Sequence, residues 1–269
     1  MTERNSSRLA RLALASVALA VLSSLWARPA GSDEGATRGR EVMGKWEKAV
    51  VTATVVLKMR SSYGGETQEE EESNQVTATV VDPSGLAVLS LYTVDPTHAW
   101  KSMMEDRPDF KFEAEVTDIK VRWADGKEAP AKVVLRDNDL DVAVIRPVEK
   151  LAEAAVAVDL ADSATPEILD QVFVLGRLGE VANRAAAVSL DRIEAVVQKP
   201  RTMYLAALHS QTTGEPGCPV FSLDGKVIGL IVMRVMPSAA GSAGGRGDWT
   251  PVILPAADVL EVVKQAPAG

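Results

Sequence analysis

A single cysteine, Cys218, in 269 residues leaves no partner for an internal disulfide, so packing rather than cross-linking must hold this chain together. The favoured reading of Cys218 is a small side chain filling a tight loop; a free or intermolecular thiol is the alternative. Two histidines, His98 and His209, do not stand with Cys218 at zinc-ligand spacing, so neither a metal nor another cofactor is expected. Lysine and arginine form no cluster in the folded part, and the formal net charge is −8. That balance argues against nucleic acid or an anionic membrane surface as the main partner. The Gly-containing segments at Gly176 and Gly241–Gly247 do not join a strand to a helix in the dinucleotide-binding manner. Asp137–Asp141 resembles the start of a calcium loop, yet Val142 replaces the required glycine and Val148 the closing glutamate. A polar turn entering a strand explains that stretch better.

The apolar run Leu12–Ala27 stops at sixteen residues, just short of the ~17–25 needed to span a bilayer. Arg4, Arg8 and Arg11 precede it and Arg28-Pro29 ends it, the layout of a secretory signal. Residues 1–27 are therefore expected to be a signal peptide or, as the minority reading, an uncleaved anchor. The folded part is expected outside the cytoplasm, periplasmic or secreted. Residues 28–45, polar and Gly-rich, read as a linker.

The remainder, 46–265, is 46% hydrophobic over the whole chain's count and long enough for a sizeable core. Val50–Leu57, Gln75–Val81, Leu86–Leu91, Glu115–Trp123, Ala131–Leu135 and Val142–Arg146 form a first set of short strands separated by turn residues. A second set runs through Gln171, Arg184–Lys199, Met203–Ala207, Val220–Phe221, Val227–Met233 and Trp249–Leu254. Such spacing predicts barrels. Arg60–Ser73, with the run Glu69–Glu72, reads as a solvated mobile loop, and Asp95–Phe112 as a long irregular one. Met236–Asp248 is mostly Gly, Ala and Ser, and Glu149–Ala155 is weakly helical. Val259, Leu260, Val262 and Val263 predict a short terminal helix over 256–265.

The most informative stretch is Gly214-Glu215-Pro216-Gly217-Cys218-Pro219, followed by Val220-Phe221, Leu223-Asp224-Gly225-Lys226 and Val227-Ile228-Gly229-Leu230. It resembles the nucleophile loop of trypsin-like serine proteases, G-x-S-G-G-P followed by a strand, a D-G turn and a strand. Val81-Asp82-Pro83-Ser84-Gly85 and Leu86–Ser90 resemble the turn and strand leading to the catalytic histidine of the Deg-type (high-temperature-requirement) members. Asp141-Val142-Ala143-Val144-Ile145 resembles their D-L-A-V-L segment, and Val172–Gly176 the strand that opens their second barrel.

The resemblance implies an all-β fold of two antiparallel six-stranded barrels, 46–147 and 164–254, with a C-terminal helix and a cleft between the barrels. It places Tyr92 at the histidine position, Asp141 at the aspartate and Pro216 at the serine. A phenol titrating near 10 is a poor base at neutral pH. Proline supplies neither a hydroxyl nor the backbone N–H that serves the oxyanion hole. The family's upstream G-S-G is replaced by Val76-Thr77-Ala78, and no PDZ domain is read after the helix. The expectation is a degenerate member: triad positions Tyr92, Asp141 and Pro216, and an oxyanion loop Gly214, Glu215, Pro216, Gly217 and Cys218 without its chemistry. The role implied is an extracytoplasmic binding or regulatory module that takes a protein or peptide in the cleft. An endopeptidase using unrecognised residues, for example a Cys218–His209 pair, is the enzymatic alternative; a structural envelope protein is the third. Without the family, Asp141 reads as a solvated or capped strand-start residue, Tyr92 as a half-buried strand residue, and Pro216 and Pro219 as ordinary turn chemistry.

Overall fold

A computed structural model describes residues 34–103, 107, 109–208, 213–236 and 248–267. The expected signal segment, His209 and the small-residue stretch 237–247 lie outside the described residues. Twelve strands close into two antiparallel six-stranded barrels, as the sequence leads one to expect. The first is built in the order β1 (Val50–Tyr63), β2 (Glu66–Val80), β3 (Ala87–Ser90), β6 (Val142–Pro147), β5 (Glu128–Asp137) and β4 (Lys111–Arg122). The second has the order β10 (Pro219–Ser222), β11 (Val227–Met236), β12 (Asp248–Pro255), β9 (Met203–Ala206), β8 (Ala186–Val197) and β7 (Gln171–Arg177). Closure removes the exposed edges that would otherwise pair with other chains.

β3, β6 and β7 are almost wholly buried, which is why they read as unbroken apolar runs rather than alternating ones. One core holds Val55, Val80, Leu89 and Ile145 from the first barrel together with Phe173, Leu175, Phe221 and Leu254 from the second. A second core inside the second barrel packs Val172, Val174, Ile193, Cys218 and Ile231. The terminal helix, Ala256–Val263, buries Ala256, Val259 and Val262, one stripe at helical spacing.

Four local expectations are corrected. The polar stretch read as a linker is helical from Glu34 to Trp46 (α1). Two of its few apolar residues, Val42 and Trp46, are four apart and share a face. Trp46 stacks on Phe221 with ring centroids 5.9 Å apart, and its Nε1–H donates to the Gly225 carbonyl at 3.3 Å. The acidic run is no mobile loop either: Glu66–Ser73 pairs with β1 residues Val56–Tyr63. Glu69 accepts from Arg60 Nε at 2.9 Å and pairs with Lys58 Nζ at 3.1 Å, so β1 cations offset its charge. The signal was Gly64-Gly65, whose φ of 60° and 88° suits a tight hairpin turn. Within Asp95–Phe112 a short helix, α2, runs Thr97–Met103, while Glu149–Ala155 is not helical.

Candidate functional site

Asp137 organises the approach to the site. Its carboxylate accepts from the backbone N–H of Asp139 at 3.0 Å and of Leu140 at 2.9 Å, an Asx turn in place of the calcium-loop likeness. The turn delivers Asp141 with φ 57°, a left-handed conformation that non-glycine residues seldom hold. Asp141 is only 6% exposed, so it is no solvated strand-start residue. Oδ1 accepts the Tyr92 backbone N–H at 2.8 Å, and Oδ2 accepts the Met233 backbone N–H at 2.7 Å and the Ser90 hydroxyl. Burial nevertheless pushes the carboxyl up to about 6, the hydrogen bonds from Ser90, Met233 and Tyr92 opposing the shift. Ser90 is itself fully buried in β3, and its part in holding Asp141 is not visible in the sequence.

Tyr92 sits in the 3-10 turn Leu91–Thr93 that follows β3. The residue is 39% exposed, and its ring lies 5.4 Å from the ring of Trp249, tilted by 32°. His98 of α2 meets Trp249 edge-on at 6.5 Å. These aromatics wall a cavity of about 490 Å³ between the barrels. The first barrel contributes Tyr92, Asp95, His98, Asp139 and Asp141 to its lining; the second contributes Val197, Lys199, Met203, Met233, Arg234 and Trp249. Trp249 and Met233 stand in strands foreseen from sequence, but nothing in one chain's pattern marks which face of a strand meets a cavity.

The loop Gly214–Cys218 is placed differently. The Cys218 N–H donates to the Glu215 carbonyl at 3.2 Å, closing a β-turn with Pro216 and Gly217 at its corners. The Gly217 N–H is bonded to the Ile231 carbonyl at 2.7 Å, and its carbonyl accepts from Thr79 Oγ1 at 2.8 Å. Two of the loop's N–H groups are thus committed to backbone, and Pro216 has none. Gly217 has φ 94°, and a Cβ there would stand 2.0 Å from the Thr77 carbonyl oxygen. Structure therefore brings Tyr92 and Asp141 together and seats the loop against β2. Among the described residues, Pro216 does not line the cavity.

Cys218 is fully buried in the second core, and burial pushes its thiol up to about 12. A protonated, inaccessible thiol is not a nucleophile. Among the described residues no group of His, Cys, Asp and Glu has the arrangement of a metal site.

Comparison with known proteins fits this architecture. Among solved structures, the HtrA-type protease AlgW with a tripeptide superposes with a TM-score of 0.50 at 16% identity. The match covers 84% of this chain and 62% of that one. A serine endoprotease from Yersinia pestis gives 0.53 at 15% identity, covering 84% of this chain and 65% of that one. The chain thus spans less than two thirds of either protein, and the likeness is one of fold. No curated protein sequence matches significantly. The trypsin-like peptidase domain family matches residues 42–230, more than half of the chain. With both barrels closed and Asp141 bonded to the Tyr92 N–H at their junction, this chain belongs to the trypsin-like peptidase domain family.

Proposed function

We propose that this domain binds a protein or peptide segment in the inter-barrel cavity and does not hydrolyse it. One observation carries the reading: among the described residues, no serine, threonine or cysteine lines the cavity that Asp141 and Tyr92 share. Acyl transfer needs a nucleophile within hydrogen-bond reach of a base, and a base oriented by a third group. Here the third group is present and occupied by backbone donors, while the phenol of Tyr92 stands where the resemblance puts an imidazole. Pro216, the resemblance's serine position, is a turn corner without hydroxyl or N–H.

The same cavity has what a peptide binder uses. Tyr92, Trp249, Met203 and Met233 offer apolar and aromatic surface, with Asp95, Asp139, Lys199 and Arg234 as polar anchors. In this reading the domain works outside the cytoplasm, behind its exported or anchored N-terminal segment.

The test is a titration of fluorescent peptides from unfolded casein with mass analysis of the recovered peptides. Saturable binding of intact peptides, weakened by Tyr92→Ala and Trp249→Ala, is expected. Cleaved peptides, labelling by a fluorophosphonate serine-hydrolase probe, or binding indifferent to both variants would overturn the proposal.

A further inference from the structure

The charged groups in the wall of the inter-barrel cavity divide by barrel. Its carboxylates, Asp95, Asp139 and Asp141, belong to the first barrel, and its Lys and Arg side chains, Lys199 and Arg234, to the second. The carboxylates are already engaged. Asp141 accepts three hydrogen bonds, from Ser90, Tyr92 and Met233. Asp139 holds Arg201 in an ion pair, and Asp95 accepts the Thr97 N–H at 3.1 Å at the start of α2.

The two cations are not engaged. Among the described residues, neither Lys199 nor Arg234 makes a side-chain hydrogen bond or an ion pair. Lys199 is exposed, so water serves its ammonium. Arg234 is half-buried: it stands in β11, opposite Thr250 of β12, in the cavity wall. Its nitrogens are nevertheless not sealed off. Among the described residues, the buried side-chain donors without a partner are Trp123 Nε1 and Arg184 Nε, and no Arg234 nitrogen is one of them. The guanidinium fork, with up to five N–H donors, is therefore accessible and unbonded. Asp141 senses Arg234 through its charge and has no ion-pair contact with it.

We infer that Arg234 selects the segment bound in this cavity by taking a carboxylate from it, with Lys199 adding charge at the rim. The inference rests on the proposed peptide binding and names what is bound: a segment with a carboxylate beside an apolar side chain. Paired guanidinium N–H groups match the two oxygens of a carboxylate, while Tyr92, Trp249, Met203 and Met233 offer surface to the apolar neighbour. A basic segment would instead meet two unpaired cations and carboxylates that already have partners. The chain's net charge of −8 repels an anion at long range, so a preference for one must come from local groups. An acidic side chain and a C-terminal carboxylate share this chemistry.

The test titrates the full chain, at constant ionic strength, with fluorescent peptides built on one Leu- and Phe-rich sequence. Three are amidated and carry a central Glu, Gln or Lys; the fourth is the Gln peptide with a free C-terminal carboxylate. Binding of the Glu peptide at least about tenfold tighter than the Gln amide identifies an acidic side chain, and the same gain for the free terminus identifies a chain end. The affinity ratio of acid to neutral peptide is expected to fall towards one in Arg234→Gln and partly in Arg234→Lys, which keeps the charge without the fork. In Arg234→Glu the preference is expected to pass to the Lys peptide. Should the Gln and Glu variants fail to fold, the native chain and Arg234→Lys decide by the same ratio. Equal binding of acid and neutral peptides, a native preference for the Lys peptide, or a ratio unchanged in the folded Arg234 variants would overturn the inference while peptide binding itself stands. Binding of none of the four would remove the proposed function, and this inference with it.

Discussion

Met233 donates its backbone N–H to Asp141 Oδ2 at 2.7 Å, so a carboxylate carried by the first barrel closes a hydrogen bond with a strand of the second. The other oxygen holds the Tyr92 N–H at 2.8 Å. Asp141 is thus a joint between the barrels.

That joint predicts a pH dependence. Burial raises the Asp141 carboxyl from its ordinary 3.8 to about 6, so between those values the folded state binds more protons than the unfolded. Stability from this group is complete below pH 3.8 and is lost as pH rises through about 6. The change amounts to about 3 kcal/mol at most, at 1.36 kcal/mol per unit. Urea unfolding of the native chain and of Asp141→Asn, compared across pH 4–7, is expected to show this decline in the difference between them. Parallel curves would remove the carboxyl's role.

Gly217→Ala is expected to destabilise the domain by about 3 kcal/mol or more, since strain at a positive φ adds to a backbone clash. The added Cβ meets the Thr77 carbonyl oxygen at 2.0 Å, and backbone cannot swing aside as a side chain can. Denaturant midpoints measure the loss; a change below about 1 kcal/mol would mean that the loop is not seated on β2.

Cys218 is expected to resist thiol reagents in the folded protein and to react stoichiometrically in denaturant. Its burial is complete, and the raised thiol carries negligible thiolate at neutral pH. Rapid labelling of the native chain with iodoacetamide would show an open second barrel.

Introducing a serine and a histidine at the positions that the resemblance implies tests the proposal that the domain does not hydrolyse what it binds. Pro216→Ser alone returns a hydroxyl without a base and is expected to stay inactive. Adding Tyr92→His places an imidazole beside Asp141, whose oxygens accept three hydrogen bonds of about four available. Any hydrolysis of casein is expected only with both changes, joined if necessary by Cys218→Gly. Equal rates for Pro216→Ser alone and for the pair would show that residue 92 is not the base position.

The two barrels are legible in the sequence because their strands are short, apolar and punctuated by turns such as Asp82–Gly85 and Asp125-Gly126. Those signals are local, and backbone pairing simply realises them. The terminal helix is legible for the same reason, through Val259 and Val262. Residue types alone also show that position 216 has no hydroxyl. What only tertiary structure decided depends on partners distant in the chain. The helix Glu34–Trp46 has too few apolar residues to announce itself, and it is a contact with Phe221 that gives Trp46 its place. The acidic run becomes strand because Lys58 and Arg60 lie across from it. Asp141, which by sequence reads as a solvated or capped strand-start residue, becomes a buried joint through Ser90, 51 positions away, and Met233, 92 away. A cavity lined by Arg122, Trp123, Arg177 and Arg184 lies between the β4–β5 and β7–β8 turns, which no sequence period connects. Hydrogen bonding and burial at these places are set by which barrel faces meet, and that is a property of the assembled fold.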